Sequence, residues 1–153
     1  MNDLDDADLR ILRALQADSR RSTAELAELV GLSQPACWRR IQRLRETGVI
    51  RGEVAILDRE KLGFGATVFA LVKLTSVGRA NLADFADAIR RLPEVVECHV
   101  LMGAYDFLLK IVARDIHAYE RFFFERLSAL EEIQDVTSSV ALSEIKTGPA
   151  LPI

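Results

Sequence analysis

Residues 22–48 read STAELAELVGLSQPACWRRIQRLRETG. Ser22 and Glu25 have the Ser-x-x-Glu spacing of a capping box, in which each side chain accepts the other residue's backbone N–H. Leu26, Ala27 and Val30 follow at helical spacing, and Gly31 supplies the left-handed residue that ends such a helix. Ser33 is placed to cap a second helix, whose first turn tolerates Pro35 because the N–H groups there have no partner within the helix. Cys37, Ile41 and Leu44 turn inward, and Gly48 stops the run. Two short helices joined at Gly31 and Leu32, the second rich in arginine, have the spacing of a helix-turn-helix.

With Cys37, Ile41 and Leu44 facing a core, Gln34, Pro35, Trp38, Arg39 and Gln42 fall on the outer face, with Arg43 at its edge. A face of this kind reads base edges and grips phosphates. Ser33, Gln34, Pro35, Trp38, Arg39, Arg40, Gln42 and Arg43 are therefore the candidate DNA-binding residues. Arg40 lies near the core edge, where it either braces the helix or meets a phosphate. Trp38 either contacts the DNA or packs beside the preceding helix. The whole chain carries a net charge of −3, but the segment 33–52 sums to +4, with five arginines against Glu46. A solvated surface helix would interleave acids with its bases. Arginine's planar fork also suits phosphate and guanine better than lysine does.

Upstream, residues 4–16 form an amphipathic helix with Leu4, Ala7, Ile11 and Leu15 on one face, and Asp5, Asp6 and Asp8 at the end favoured by the helix dipole. Downstream, 49–57 alternates loosely and is expected to make a short β wing, and Gly63 and Gly65 mark a boundary. The remainder changes character: a strand over 66–75, a helix over 79–92 with Leu82, Phe85, Ala86 and Ile89 inward, and strands over 95–102 and 105–113. The last two strands are joined tightly at Gly103–Ala104. A helix capped by Asp115 places Ile116, Tyr119, Phe123 and Leu127 on one face, and a last strand covers 133–146. The order β-α-β-β-α-β is the ferredoxin-like arrangement, so the fold class is α+β, a winged helix-turn-helix followed by that domain. The expected divisions are 1–52 for the DNA-binding domain, 53–65 for wing and linker, 66–146 for the sheet domain and 147–153 for an irregular arm. In the first strand both Val68, Ala70, Val72, Leu74 and the alternating Thr67, Phe69, Leu71, Lys73 are largely apolar, which calls for burial on both sides. Helices cover one side, and a second subunit is expected on the other.

At 153 residues and 50% hydrophobic the chain has ample material for a core. No apolar run is long enough for a transmembrane helix, and the acidic start is unlike a secretory signal. Cys37 and Cys98 make neither a disulfide framework nor a metal spacing, so a reducing cytoplasm is the expected setting. Cys37 sits at a core position, and adjacent Cys98 and His99 point to opposite faces of a strand and cannot share a metal. No metal and no cofactor are expected.

Gly103-Ala104-Tyr105-Asp106 reads in two ways. Turn chemistry alone accounts for the glycine and the aspartate. Alternatively, backbone groups freed by the turn, together with the carboxylate, hold the ammonium and carboxylate of a small molecule at the sheet edge.

Taken together, Leu4-Asp5 with Asp8 and Ile11-Leu12, Ser22 with Glu25-Leu26-Ala27, Gly31-Leu32-Ser33, Arg39-Arg40-Ile41 with Leu44, Gly48-Val49-Ile50 and Gly103-x-Tyr105-Asp106 resemble the Lrp/AsnC family of bacterial regulators, in order and over nearly the whole chain. The resemblance implies a winged helix-turn-helix, a ferredoxin-like ligand-response (RAM) domain, double-stranded operator DNA as partner, and homodimers that assemble to octamers. It also implies an amino-acid effector bound between RAM domains. Gly103, Tyr105 and Asp106 match the family's effector loop. Its Thr-x-Thr pattern on the last strand aligns with Val136-Thr137-Ser138, adding Thr137 and Ser138 to the effector-binding candidates, although Val136 departs from it. Residues 35–40, 135–139 and 151–153 look like a narrower branch that includes a regulator of cysteine detoxification, which makes cysteine the first effector to consider. The competing class is an enzyme, since sirohaem decarboxylases are built on a similar two-part chain. Against catalysis, His99 and His117 stand without a nucleophile–base pair or phosphate loop in the sequence around them.

Overall fold

The computed structural model describes residues 4–148 and 150–153, and the chain divides into two compact units, 1–56 with 146–153, and 57–145. Part of the acidic start and Pro149 of the arm lie outside the described residues.

In the first unit, α1 (Asp6–Ala17), α2 (Thr23–Val30) and α3 (Gln34–Glu46) close around Ile11, Leu12, Leu26, Ala27, Val30, Cys37, Ile41 and Leu44. Reciprocal capping boxes open the first two helices, Asp5 with Asp8 and Ser22 with Glu25. Gly31 (φ 70°) ends α2 in the left-handed conformation. Ser33 precedes α3 in extended conformation but its hydroxyl caps nothing, contrary to expectation; Pro35 occupies the first turn. Val49 and Ile50 pack on this core, and Ile50 N–H donates to the Leu44 carbonyl. Residues 51–57 form no strand and are exposed, so the expected β wing is an irregular segment. Residues 146–148 and 150–153 carry no helix or strand, and Leu151 and Ile153 return to α1. The Leu151 N–H donates to Gln16 Oε1 at 2.6 Å, Gln16 Nε2 donates to the Leu151 carbonyl at 3.3 Å, and Arg13 Nε donates to the Ile153 carbonyl at 2.6 Å.

The second unit is a four-stranded antiparallel sheet in the order β2-β3-β1-β4, from β1 (Ala66–Leu74), β2 (Val95–Val100), β3 (Phe107–Ala113) and β4 (Ile133–Val140). This is the ferredoxin-like arrangement anticipated from the sequence. Val68, Ala70, Val72, Leu74, Leu109 and Ile111 project from the sheet into a core completed by Phe85, Ile89, Phe122 and Leu127.

The helix expected over 79–92 is two. Thr75 caps α4 (Ser76–Ala80), and α5 (Leu82–Arg90) begins after Asn81, whose non-helical backbone (φ −118°, ψ 44°) breaks the run. The break turns Leu82 outward to 44% exposure, while Phe85 and Ile89 stay buried. α6 (Ile116–Phe122), capped by Asp115, continues as a π-helical turn over Phe123–Leu127. α6 buries Tyr119 and Phe122, the wider turn buries Leu127 and leaves Phe123 packed at the margin, and Ile116, at the start of the helix, is half-exposed. β4 ends at Val140 rather than running to 146. β2 and β3 are each shorter than expected, and the connection between them is the loop 101–106, closed where Leu101 N–H donates to the Asp106 carbonyl at 2.8 Å.

Candidate functional site

On α3, Gln34, Pro35, Trp38 and Arg39 are exposed, as are Ser33 just before it and Arg43 near its end; Gln42 and Arg40 are half-buried. Trp38 is 53% exposed, which favours an outward role over packing beside α1. The arginines divide into two sorts. Arg40 Nη1 donates to Asp5 at 2.7 and 2.8 Å and to Asp8 Oδ1 at 2.9 Å, and Arg43 Nη2 donates to Asp8 Oδ2. Arg45 pairs with Glu53 at 2.7 Å. Arg39 forms no hydrogen bond or ion pair among the described residues, and with Ala36, Arg40 and Arg43 it lines a shallow concavity of about 330 Å³. Backbone donation from Asp8, then the Arg40 guanidinium, holds the Asp5 carboxyl below its usual pKa range.

Asp8 is the residue that sequence reasoning passed over. Its place at the helix start suits an acid stabilised by the dipole, yet its side chain is fully buried. Its spacing carried the signal: it stands three, four and seven residues before Ile11, Leu12 and Leu15, on the apolar face, where a carboxylate needs a cationic partner. Cys37 fits its core position, since burial pushes its thiol pKa up and away from reactivity.

In the second unit Gly103, Tyr105 and Asp106 share the 101–106 loop. Tyr105 Oη lies 3.1 Å from Thr137 Oγ1, so loop and last strand meet on the sheet face opposite the helices. Ser138 does not join them: as Thr137's neighbour on a strand it points to the other face, where its hydroxyl is 2.5 Å from Tyr119 Oη. The Asp106 carboxylate accepts Leu74 N–H at 2.7 Å and Arg79 Nε at 3.0 Å. That backbone donor first, and the guanidinium second, hold its pKa below the usual carboxylate range. Cys98 and His99 are exposed on β2, and His99 Nε2 lies 3.3 Å from Glu97. Among the described residues no group of three or more His, Cys, Asp or Glu is placed to hold a metal, and no helix is long and apolar enough to cross a membrane.

Residues 4–45 match the AsnC-type helix-turn-helix domain and residues 67–151 the Lrp/AsnC ligand binding domain. The two together define a DNA-binding transcriptional regulator with a ligand-binding domain. The chain belongs to the Lrp/AsnC family. It is 40% identical over 145 residues to a proline dehydrogenase transcriptional activator of Rhizobium radiobacter, covering 95% of this chain and 93% of that one. Among solved structures, an AsnC family transcriptional regulator from Agrobacterium tumefaciens superposes with a TM-score of 0.92 at 42% identity, covering 97% of each chain. A transcriptional regulator from Neisseria meningitidis in complex with L-Met also gives 0.92, at 36% identity over 97% of this chain and 96% of that one. These relatives do not single out the cysteine-detoxification branch.

Proposed function

We propose that the outer face of α3 enters the major groove of operator DNA, and that Arg39 is its principal reader. The observation that carries this is the exposure of Arg39 at the centre of the cationic face with no acid beside it, while its neighbours on the same helix are paired. Trp38 and Gln42 flank it for base-edge and sugar contacts, and Ser33, Gln34 and Pro35 approach the backbone at the helix start. Two subunits joined across the bare sheet face bring two such helices to an imperfect palindrome, with half-sites about one helical turn, or a multiple, apart. The dimers are taken to assemble further to octamers, as the family resemblance implies.

The effector is an α-amino acid held between sheet domains at the 101–106 loop. Gly103 offers unencumbered backbone groups, Tyr105 and Thr137 offer hydroxyls, and Asp106 fixes the loop. The L-Met complex of the Neisseria relative and the likeness to the cysteine branch make sulfur-containing amino acids the first to try. The chain is not read as an enzyme: its relatives are named as regulators, and His117 lies beside a glutamate, Glu120 at 3.6 Å, as His99 lies beside Glu97.

The test is titration of a duplex from the protein's own promoter region. Arg39→Ala should weaken operator binding by about 1–3 kcal/mol and relax the preference at one base position. Wild-type affinity in that variant would remove Arg39 from the interface.

A further inference from the structure

The Asp8 cluster does more than close the core. Asp8 Oδ1 accepts from Arg40 Nη1 at 2.9 Å, and Oδ2 accepts from Arg43 Nη2 and from the Asp5 backbone N–H at 3.2 Å. Asp5 completes the group by accepting from the same Arg40 nitrogen. Two aspartates thus meet two arginines, and the cluster is neutral. The acids are fixed by their capping box at the start of α1, so their places are set by helix geometry. The arginines are one turn apart on α3, and both line the concavity that Arg39 also lines.

We propose that Asp8 is a positioning residue for DNA recognition: from within the fold it aims Arg43 and Arg40 along the reading face and, together with Asp5, cancels their charge toward phosphates. This rests on the reading of α3 as the helix that enters the groove. A guanidinium tied to a buried carboxylate presents its remaining N–H groups in one direction, which suits a base edge. The same guanidinium released into solvent sweeps a cone and settles on whichever phosphate is nearest, without regard to sequence. Each phosphate neutralised adds about 0.9 to the slope of log affinity against log salt. Asp8 therefore trades non-specific grip for discrimination.

The experiment uses the full-length protein on operator and scrambled duplexes over a range of salt concentrations, with folding of each variant checked by circular dichroism. Asp8→Asn keeps the shape and removes the charge. It should lower the preference for operator over scrambled DNA roughly tenfold or more while steepening the salt slope by about one to two as the arginines reach phosphates. Asp8→Glu keeps the charge and displaces the guanidinium, so the preference should fall while the slope stays at its wild-type value. A merely structural role would move affinity for both duplexes alike and leave their ratio and the slope unchanged, which overturns the proposal. On the unaltered protein, guanidinium nitrogen resonances should show slow rotation for Arg40 and Arg43 and fast rotation for Arg39. Equal, fast rotation in all three overturns it even if neither variant folds. If instead the wild type shows no operator preference and Arg39→Ala changes nothing, the groove reading of α3 fails, which is a different result from an intact wild-type preference that the Asp8 variants share.

Discussion

Asp106 ties the proposed effector loop into the fold. Its carboxylate accepts the Leu74 N–H at the end of β1 and the Arg79 guanidinium of α4, and its own N–H donates to the Val72 carbonyl at 2.9 Å. The loop that carries Gly103 and Tyr105 is therefore pinned at its base. Asp106→Ala should abolish the rise in melting temperature that an amino-acid effector gives the wild type, since a ligand that binds only the folded form stabilises it. The dimer should persist in light scattering, and a full ligand-induced shift in the variant would dismiss the loop. The pH dependence has a definite sign. A carboxyl whose folded pKa lies below its unfolded value of about 3.9 stabilises the fold above that value and loses the contribution as pH falls through the folded one. The Asp106 contribution should thus be flat through neutrality and vanish only in strong acid, and an acid titration of Asp106→Asn should lack it.

At the level of elements, α4 packs closely against the start of β4. A Cβ added at Gly78 would come within 2.6 Å of the Glu132 carbonyl oxygen, a backbone atom that cannot swing aside. Gly78→Ala should cost about 1–3 kcal/mol in urea unfolding, by forcing α4 away from the start of β4. A loss within error would mean that the two segments separate freely. Elements of this kind mark where sequence reading reached and where it stopped. Long periodic runs gave α1 to α3 and the order of strands and helices, because spacing and capping residues act locally. The break at Asn81 and the π-helical turn at Phe123–Leu127 were invisible, because each answers to packing against a sheet whose position no local pattern records. Residues 51–57 alternate like a strand but have no neighbouring strand to bond among the described residues. The exposed arginine-bearing face of α3 was legible as a set of residues, whereas the pairing of Arg40 and Arg43 with Asp8 required α1 and α3 to be placed side by side. Ser138 matches the family pattern in sequence, but strand alternation turns it to the face opposite that of Thr137.

On the scale of the whole molecule, the sheet has one face lined by the helices of its own unit and, among the described residues of that unit, one without. The register puts Phe69 and Leu71 of β1 opposite Lys110 and Leu108 of β3, and opposite Ser139 and Thr137 of β4. Phe69 is 38% exposed at the middle of this face. Around it stand Glu97, His99 and Lys110, with Glu97 held below its usual pKa by His99 and then Lys110. An apolar centre with a charged rim is the anatomy of an interface between subunits. Phe69→Glu should therefore shift the protein toward monomer in sedimentation velocity while leaving the circular dichroism spectrum intact, and operator affinity should drop with the loss of one half-site. An unchanged sedimentation coefficient would place the dimer contact elsewhere.

The return of residues 146–153 to α1 has a topological consequence. The effector domain is an insert in the chain of the DNA-binding unit, entered after residue 56 and left before residue 146, so two covalent tethers join them. Any fragment cut after residue 56 leaves Arg13 and the Gln16 amide without the backbone that they clasp. A minimal DNA-binding piece of this protein would have to be stitched from two segments that lie 89 residues apart in the chain.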